Sequence, residues 1–181
     1  MRILISLLIA LLLMAVQASA QETKVTIKEI QPAAQRSLET LNQLVTKENY
    51  RQMGFESPEE VRSAILGTPI QQDFMVRLDK LKKYEPGSKP DELLTATSQV
   101  IYPVLVKGQV RSSITLSKTK ESWQAVSFGG FNFVKLVSST LMESSKVTGL
   151  DYSSYFTVRV PSLNLFFLGF HGTPQKCVVT V

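Results

Sequence analysis

The sequence predicts an α+β fold: an antiparallel β-sheet of about six to seven strands, with N-terminal helices and one further helix packed on it. Three observations predict it. Apolar residues early in the chain recur at helical spacing. Residues 99–128 form β-rich runs separated by short polar turns. A second helical stretch then separates those runs from a last group of β-rich segments. Short turns between successive strands favour antiparallel pairing, and the pattern places the helices on one face of the sheet.

The first twenty residues stand apart from the fold. Met1-Arg2 is a short positive start, and Ile3 to Val16 is apolar apart from Ser6. Ala18-Ser19-Ala20 then has the small-residue pattern of a cleavage site. The apolar run is shorter than the roughly 20 residues that span a bilayer. The segment 1–20 is therefore expected to be a secretory signal peptide. No cysteine stands at position 21, so the lipoprotein pattern is missing. The expected destination is periplasmic or secreted, in a bacterial cell, with residues 21–181 forming a single domain and no transmembrane segment after cleavage. The chain of 181 residues is 44% hydrophobic and 19% charged, with net charge +5. Those values exclude disordered, collagenous and coiled-coil classes.

Residues 21–32 read as a loose lead-in or a short strand with Val25 and Ile27. From Ala33 to Asn49, Ala34, Leu38, Leu41, Leu44 and Val45 share one helical face. Ser57-Pro58-Glu59-Glu60 matches a capping box with proline in the first turn, and Gly67 and Pro69 follow. A short helix over Pro58–Leu66 is expected. Asp73 to Asp79 alternates Phe74, Val76 and Leu78 with polar residues, which reads as a half-buried strand. Pro86-Gly87 and Pro90 mark a loop, and Asp91 to Leu94 a single helical turn.

Gln99 to Lys107 is β-rich, and Pro103 inside it points to an edge strand or a bulge. Gly108 supplies a turn. Val110, Ser112, Ile114 and Leu116 then alternate with Arg111, Ser113, Thr115 and Ser117, a strand with one wet face. Lys118–Ser122 turns into Trp123–Phe128, completing a meander that Gly129-Gly130 ends. Phe131, Val134, Val137 and Leu141 predict a helix over Phe131–Ser144. Tyr155–Val160, Leu163–Phe170 and Lys176–Val181 read as three more strands.

The residues offer little catalytic chemistry. A single cysteine excludes an internal disulfide framework and CxxC motifs, and a single histidine excludes HExxH chemistry. His171 and Cys177 are the one thiol–imidazole pair available. Cys177 shares a strand face with Val179 and Val181, which fits a buried apolar residue better than a nucleophile. An intermolecular disulfide is the other use of an odd cysteine in an exported chain. Ser117-Lys118-Thr119-Lys120 matches S-x-x-K, but at a turn rather than on the helix that motif needs, and neither S-D-N nor K-T-G occurs. Glu59-Glu60 is explained by capping, and Asp73 and Asp79 by a wet strand face. Arg77, Lys80, Lys82, Lys83 and Lys89, interrupted by Asp79 and Glu85, read as a solvated face rather than a nucleic-acid surface. No catalytic residue, metal ligand or cofactor is assigned.

The aromatic residues carry more information. Phe128, Phe131 and Phe133 surround Gly129-Gly130, and Phe166, Phe167 and Phe170 make a strand apolar on both faces. Such a strand needs cover on each side: a core helix, a dimer partner or an apolar ligand. The expected function is an exported, non-enzymatic binding protein acting through an apolar pocket or a protein-interaction surface. Its partner is a small apolar ligand or another exported protein, with homodimer formation left open. Trp123, Phe128, Phe131, Phe166 and Phe170 are the candidate binding residues. The rival is a secreted hydrolase-like enzyme with a dispersed active site.

Overall fold

The computed structural model describes residues 27–87 and 89–170, apart from the side chains of Gln72, Asp73, Pro90, Asp91 and Ser153. The expected signal peptide, the strand over Lys176–Val181, and both His171 and Cys177 lie outside the described residues.

Helix α1 spans Ile27–Leu44. Residues 27–32 are thus helical, not a lead-in or strand. Ile30, Ala33, Ala34, Ser37 and Leu41 form its buried stripe, so the apolar period runs through Pro32 on the exposed side. The helix stops at Leu44, short of the expected Asn49. The Asn49 side chain closes its end: Nδ2 donates to the Leu44 carbonyl at 2.8 Å, and Oδ1 accepts from the Thr46 N–H at 2.7 Å. Leu44 is left 44% exposed, while Val45 turns inward.

The predicted helix over Pro58–Leu66 is not formed. A 3₁₀ turn at Glu60–Ser63 leads directly into strand β1, Ile65–Leu66, which pairs antiparallel with Leu105 and Val104. The capping box is diverted. Glu60 Oε2 accepts from the Glu56 N–H at 2.6 Å, and Oε1 bonds Arg111 Nε at 3.0 Å. Strand pairing and that ion pair outcompete a local helix. Strand β2 is Ile70–Val76, displaced from the expected 73–79, and Leu78 opens the short helix α2, Leu78–Lys82. There Asp79 accepts a hydrogen bond from Arg77 at 3.0 Å, which holds its carboxyl below the usual range. Asp79 is therefore on a helix rather than on a wet strand face. Pro90–Leu93 is a 3₁₀ turn, close to the expected helical turn.

Strands β3 (Leu94–Val106), β4 (Gln109–Lys118) and β5 (Trp123–Phe128) form the predicted meander. Lys107 and Gly108 both take positive φ in the two-residue β3–β4 turn, as the twist of a tight hairpin demands. Pro103 does not mark an edge, because β3 is bonded on both sides. Its carbonyl accepts from Gly67 N at 2.7 Å, on the side where β1 breaks from β2. The missing proline N–H faces the same side, so the Gly67–Pro103 pair makes one bond instead of two, and the β3–β4 register shifts next to the proline, between Val104 and Leu105, in keeping with the expected bulge.

Helix α3 covers Phe131–Thr148, containing the predicted helix. It leads to β6 (Tyr155–Val160), a 3₁₀ turn at Pro161–Leu163, and β7 (Leu165–Phe170). The seven-stranded sheet has the order β5-β4-β3-β2-β6-β7, with β1 beside β3. It is mainly antiparallel, as predicted. Strands β2 and β6 pair in parallel because β6 arrives by the long α3 crossover.

The helices do not share a face of the sheet. Val100, Tyr102, Val104 and Val106 of β3 join Ile114 and Leu116 of β4 in a core closed by Ile30, Ala34 and Leu41 of α1. Ile101, between Val100 and Tyr102, points the other way and packs with Ile70 and Val134 of α3. Trp123 is buried in the α1 core. Burial pushes the Tyr102 phenol above its usual 10. Among the described residues no helix is long and apolar enough to cross a membrane.

Leu41 is fully buried and Leu44 is not, although both lie on the apolar helical stripe. Leu41→Ala is expected to cost about 2–5 kcal/mol in urea unfolding. Leu44→Ala is expected to stay within about 0.5 kcal/mol. Equal losses would contradict the placement of α1.

Candidate functional site

The face of the sheet under α3 is polar by sequence yet covered by structure. Arg111, Ser113, Thr115 and Ser117 were expected to face water. Instead Ser113 is 4% exposed, and Thr115 pairs with Ile101 beneath α3. Ser113 also positions the roof. Its Oγ donates to the Gly129 carbonyl, and its own carbonyl accepts from Gly129 N at 3.0 Å. The chain then turns through Gly129 and Gly130, both with positive φ, and α3 begins. Gly149, also at positive φ, ends the helix by donating to the Ser145 carbonyl at 2.8 Å.

Between α3 and this face lies a cleft of about 630 Å³. That volume falls within the roughly 300–1,000 Å³ range of small-molecule sites. Its roof is Phe133, Val134, Leu136, Val137 and Thr140 of α3. Its floor includes Gln99 and Ile101 of β3, Thr115 of β4, Thr157 and Arg159 of β6, and Phe166 and Leu168 of β7. Val126 and Leu136, 56% and 55% exposed, stand at its rim.

One stack of side chains ties the roof to the floor. The Phe133 and Phe166 rings lie 3.8 Å apart between centroids, tilted by 35°. On Phe166, the Arg159 guanidinium carbon lies 5.3 Å from the ring centroid. Arg159 and Phe166 are directly opposite in the β6–β7 register. Neighbouring Thr157 spends its hydroxyl on the Gln71 carbonyl at 2.9 Å, which fixes β6 against β2.

Arg159 is the one charged side chain among the described residues lining the cleft. Its Nε is buried without a hydrogen-bond partner among them. The four ion pairs of the described residues are Arg77–Asp79, Arg111–Glu56, Arg111–Glu60 and Lys118–Glu29. None of them uses Arg159.

The five candidate residues divide between the faces. Phe166 lines the cleft. Trp123 and Phe128 belong to the core under α1, on the opposite side of the sheet. Phe131 opens α3, with its ring beside Gly54. Phe170 packs edge-on to Tyr155 at 6.0 Å. Arg159 and Phe133, which also line the cleft, are not among the five. The signal for Arg159 was present: a cation in a short β-rich segment followed by a strand apolar on both faces.

The remaining motifs sit elsewhere. Ser117 and Lys118 end β4, and Thr119 closes the hairpin by accepting from the Ser122 N–H at 3.1 Å, so S-x-x-K is not helical. In the basic stretch, Lys80 Nζ donates to the Glu92 and Leu94 carbonyls, each at 3.1 Å. Among the described residues no group of three His, Cys, Asp or Glu comes together. Comparison with family models, curated proteins and solved structures finds no match for the chain.

The roof depends on Gly130, at φ 73° and ψ 30°. Gly130→Ala is expected to lower stability by about 1–2 kcal/mol in urea unfolding, the cost of a left-handed side-chain residue. No change would mean that this turn is not what launches α3.

Proposed function

We propose that this chain is an exported, non-enzymatic binding protein that takes a small molecule with an apolar body into the cleft between α3 and the sheet. The observation carrying this reading is the contrast between the two faces. The α1 face is filled by Val, Ile and Leu side chains packed against the helix. Over the other face α3 stands off beyond its contact with Ile70 and Ile101, and about 630 Å³ lies between its apolar roof and a floor that sets hydroxyl, amide and guanidinium groups beside Phe166 and Leu168. A roof of Phe133, Leu136 and Val137 supplies the apolar contact. Gln99, Thr115 and Thr140 supply single hydrogen bonds that orient a ligand. This is the usual division of labour in a small-molecule site.

The hydrolase reading is weaker at this cleft. Ser113, the most buried hydroxyl of the floor, donates to the Gly129 carbonyl, so its proton is engaged by backbone. A nucleophile needs that proton directed to a base.

The test uses N-phenyl-1-naphthylamine, a neutral apolar fluorophore. The protein isolated from cells expressing the full chain is expected to bind it with a blue-shifted emission. Thr140→Trp fills the cleft and is expected to weaken binding at least about tenfold, by lost space and contact. Thr40→Trp, on the exposed side of α1, should leave binding unchanged. Equal binding by all three proteins would remove the cleft as the site.

A further inference from the structure

We infer that the ligand of this cleft is a carboxylate amphiphile, its acid group held by Arg159 and its hydrocarbon body lying under α3. The inference rests on the small-molecule reading above and adds the chemical class.

A guanidinium is costly to remove from water unless its charge is met. Arg159 is part-buried, and its Nε is enclosed without an acceptor. None of the ion pairs among the described residues meets its charge. The described cleft lining offers no acidic side chain to do so. The Phe133–Phe166–Arg159 stack holds the group in place, with one flank against an aromatic ring. The terminal Nη donors are not among the enclosed, unpartnered atoms, which leaves them to meet a ligand's charge where Arg159 lines the cleft. Those donors form a fork that matches the two oxygens of a carboxylate.

The charge count selects the head group. One cation lines the described cleft. A carboxylate brings one negative charge, whereas a phosphate monoester brings about 1.5 to 2. The body of the ligand follows from the rest of the wall. Phe133, Leu136, Val137 and Leu168 offer apolar surface, and the remaining polar lining groups are neutral. The net charge of +5 favours approach of an anion.

The experiment is displacement of N-phenyl-1-naphthylamine by decanoate, decanol and decyl phosphate, on the isolated protein and on Arg159→Gln and Arg159→Lys. Decanoate is expected to displace the probe at a concentration at least about tenfold lower than decanol, the worth of a charge-assisted hydrogen bond. Decyl phosphate should fall behind decanoate. Arg159→Gln should bring decanoate to the level of decanol and leave decanol unchanged. Arg159→Lys keeps the charge and should retain part of the preference, which keeps the test decisive if Arg159→Gln fails to fold. Equal displacement by decanoate and decanol on the unaltered protein would overturn the inference while leaving the cleft reading standing. A phosphate preference would overturn the carboxylate assignment. If the probe itself does not bind, the cleft reading fails first and this inference fails with it.

Discussion

Everything in this structure depends on the two-residue alternation of β3. Its thirteen residues, Leu94–Val106, are bonded to β4 on one side and to β1 and β2 on the other. Successive side chains of a strand point to opposite faces, so the register fixes two surfaces at once. Val100, Tyr102, Val104 and Val106 go to one, and Gln99 and Ile101 to the other. A slip of one residue would move the valines under α3 and the glutamine into the α1 core. Each surface then takes the helix that suits it.

The two helices do different work for a physical reason. Helix α1 presents small and branched residues, Ala33, Ala34 and Leu41, and approaches the sheet closely. Helix α3 buries only Val134 and Leu141, and its contact with the sheet centres on Ile70 and Ile101. Away from that contact the floor sets Gln99, Thr115, Thr157 and Arg159 beside Phe166 and Leu168, and an apolar helix gains little by descending onto the polar part. The cleft is what remains. The stack of Phe133 on Phe166 carries the far side of the roof, and Arg159 sits beneath the same ring.

The sequence made some of this legible and hid the rest. The stripe around Leu38 and Leu41, the meander through residues 99–128 and the helix over 131–144 follow from local period, which needs no knowledge of neighbours. The segment Pro58–Leu66 has a strong local helix signal, yet Glu60 is claimed by Arg111, 51 residues away, and Ile65 by Leu105. No local pattern contains those partners. The polar side of β4 reads as solvent-facing in the sequence because alternation separates polar from apolar, not water from a covered cleft. Trp123 and Phe128 drew attention as aromatic residues, but their place is in the α1 core, and the residue that gives the cleft its charge is a lone arginine in a short strand. Aromatic clustering locates burial; it does not say on which face of a sheet the burial falls.

The account stands on the claim that ligand recognition belongs to the α3 face. The direct measurement is an NMR titration of protein carrying ¹³C-labelled Ile, Leu and Val methyl groups with decanoate, because side chains, unlike backbone amides, separate the two faces of a strand. The account predicts saturable shift changes at the methyl groups of Ile101, Val137 and Leu168, with those of Val100, Val104 and Leu116 on the opposite face of the sheet unmoved. Changes centred on α1 and its core, or spread evenly over both faces, would contradict it.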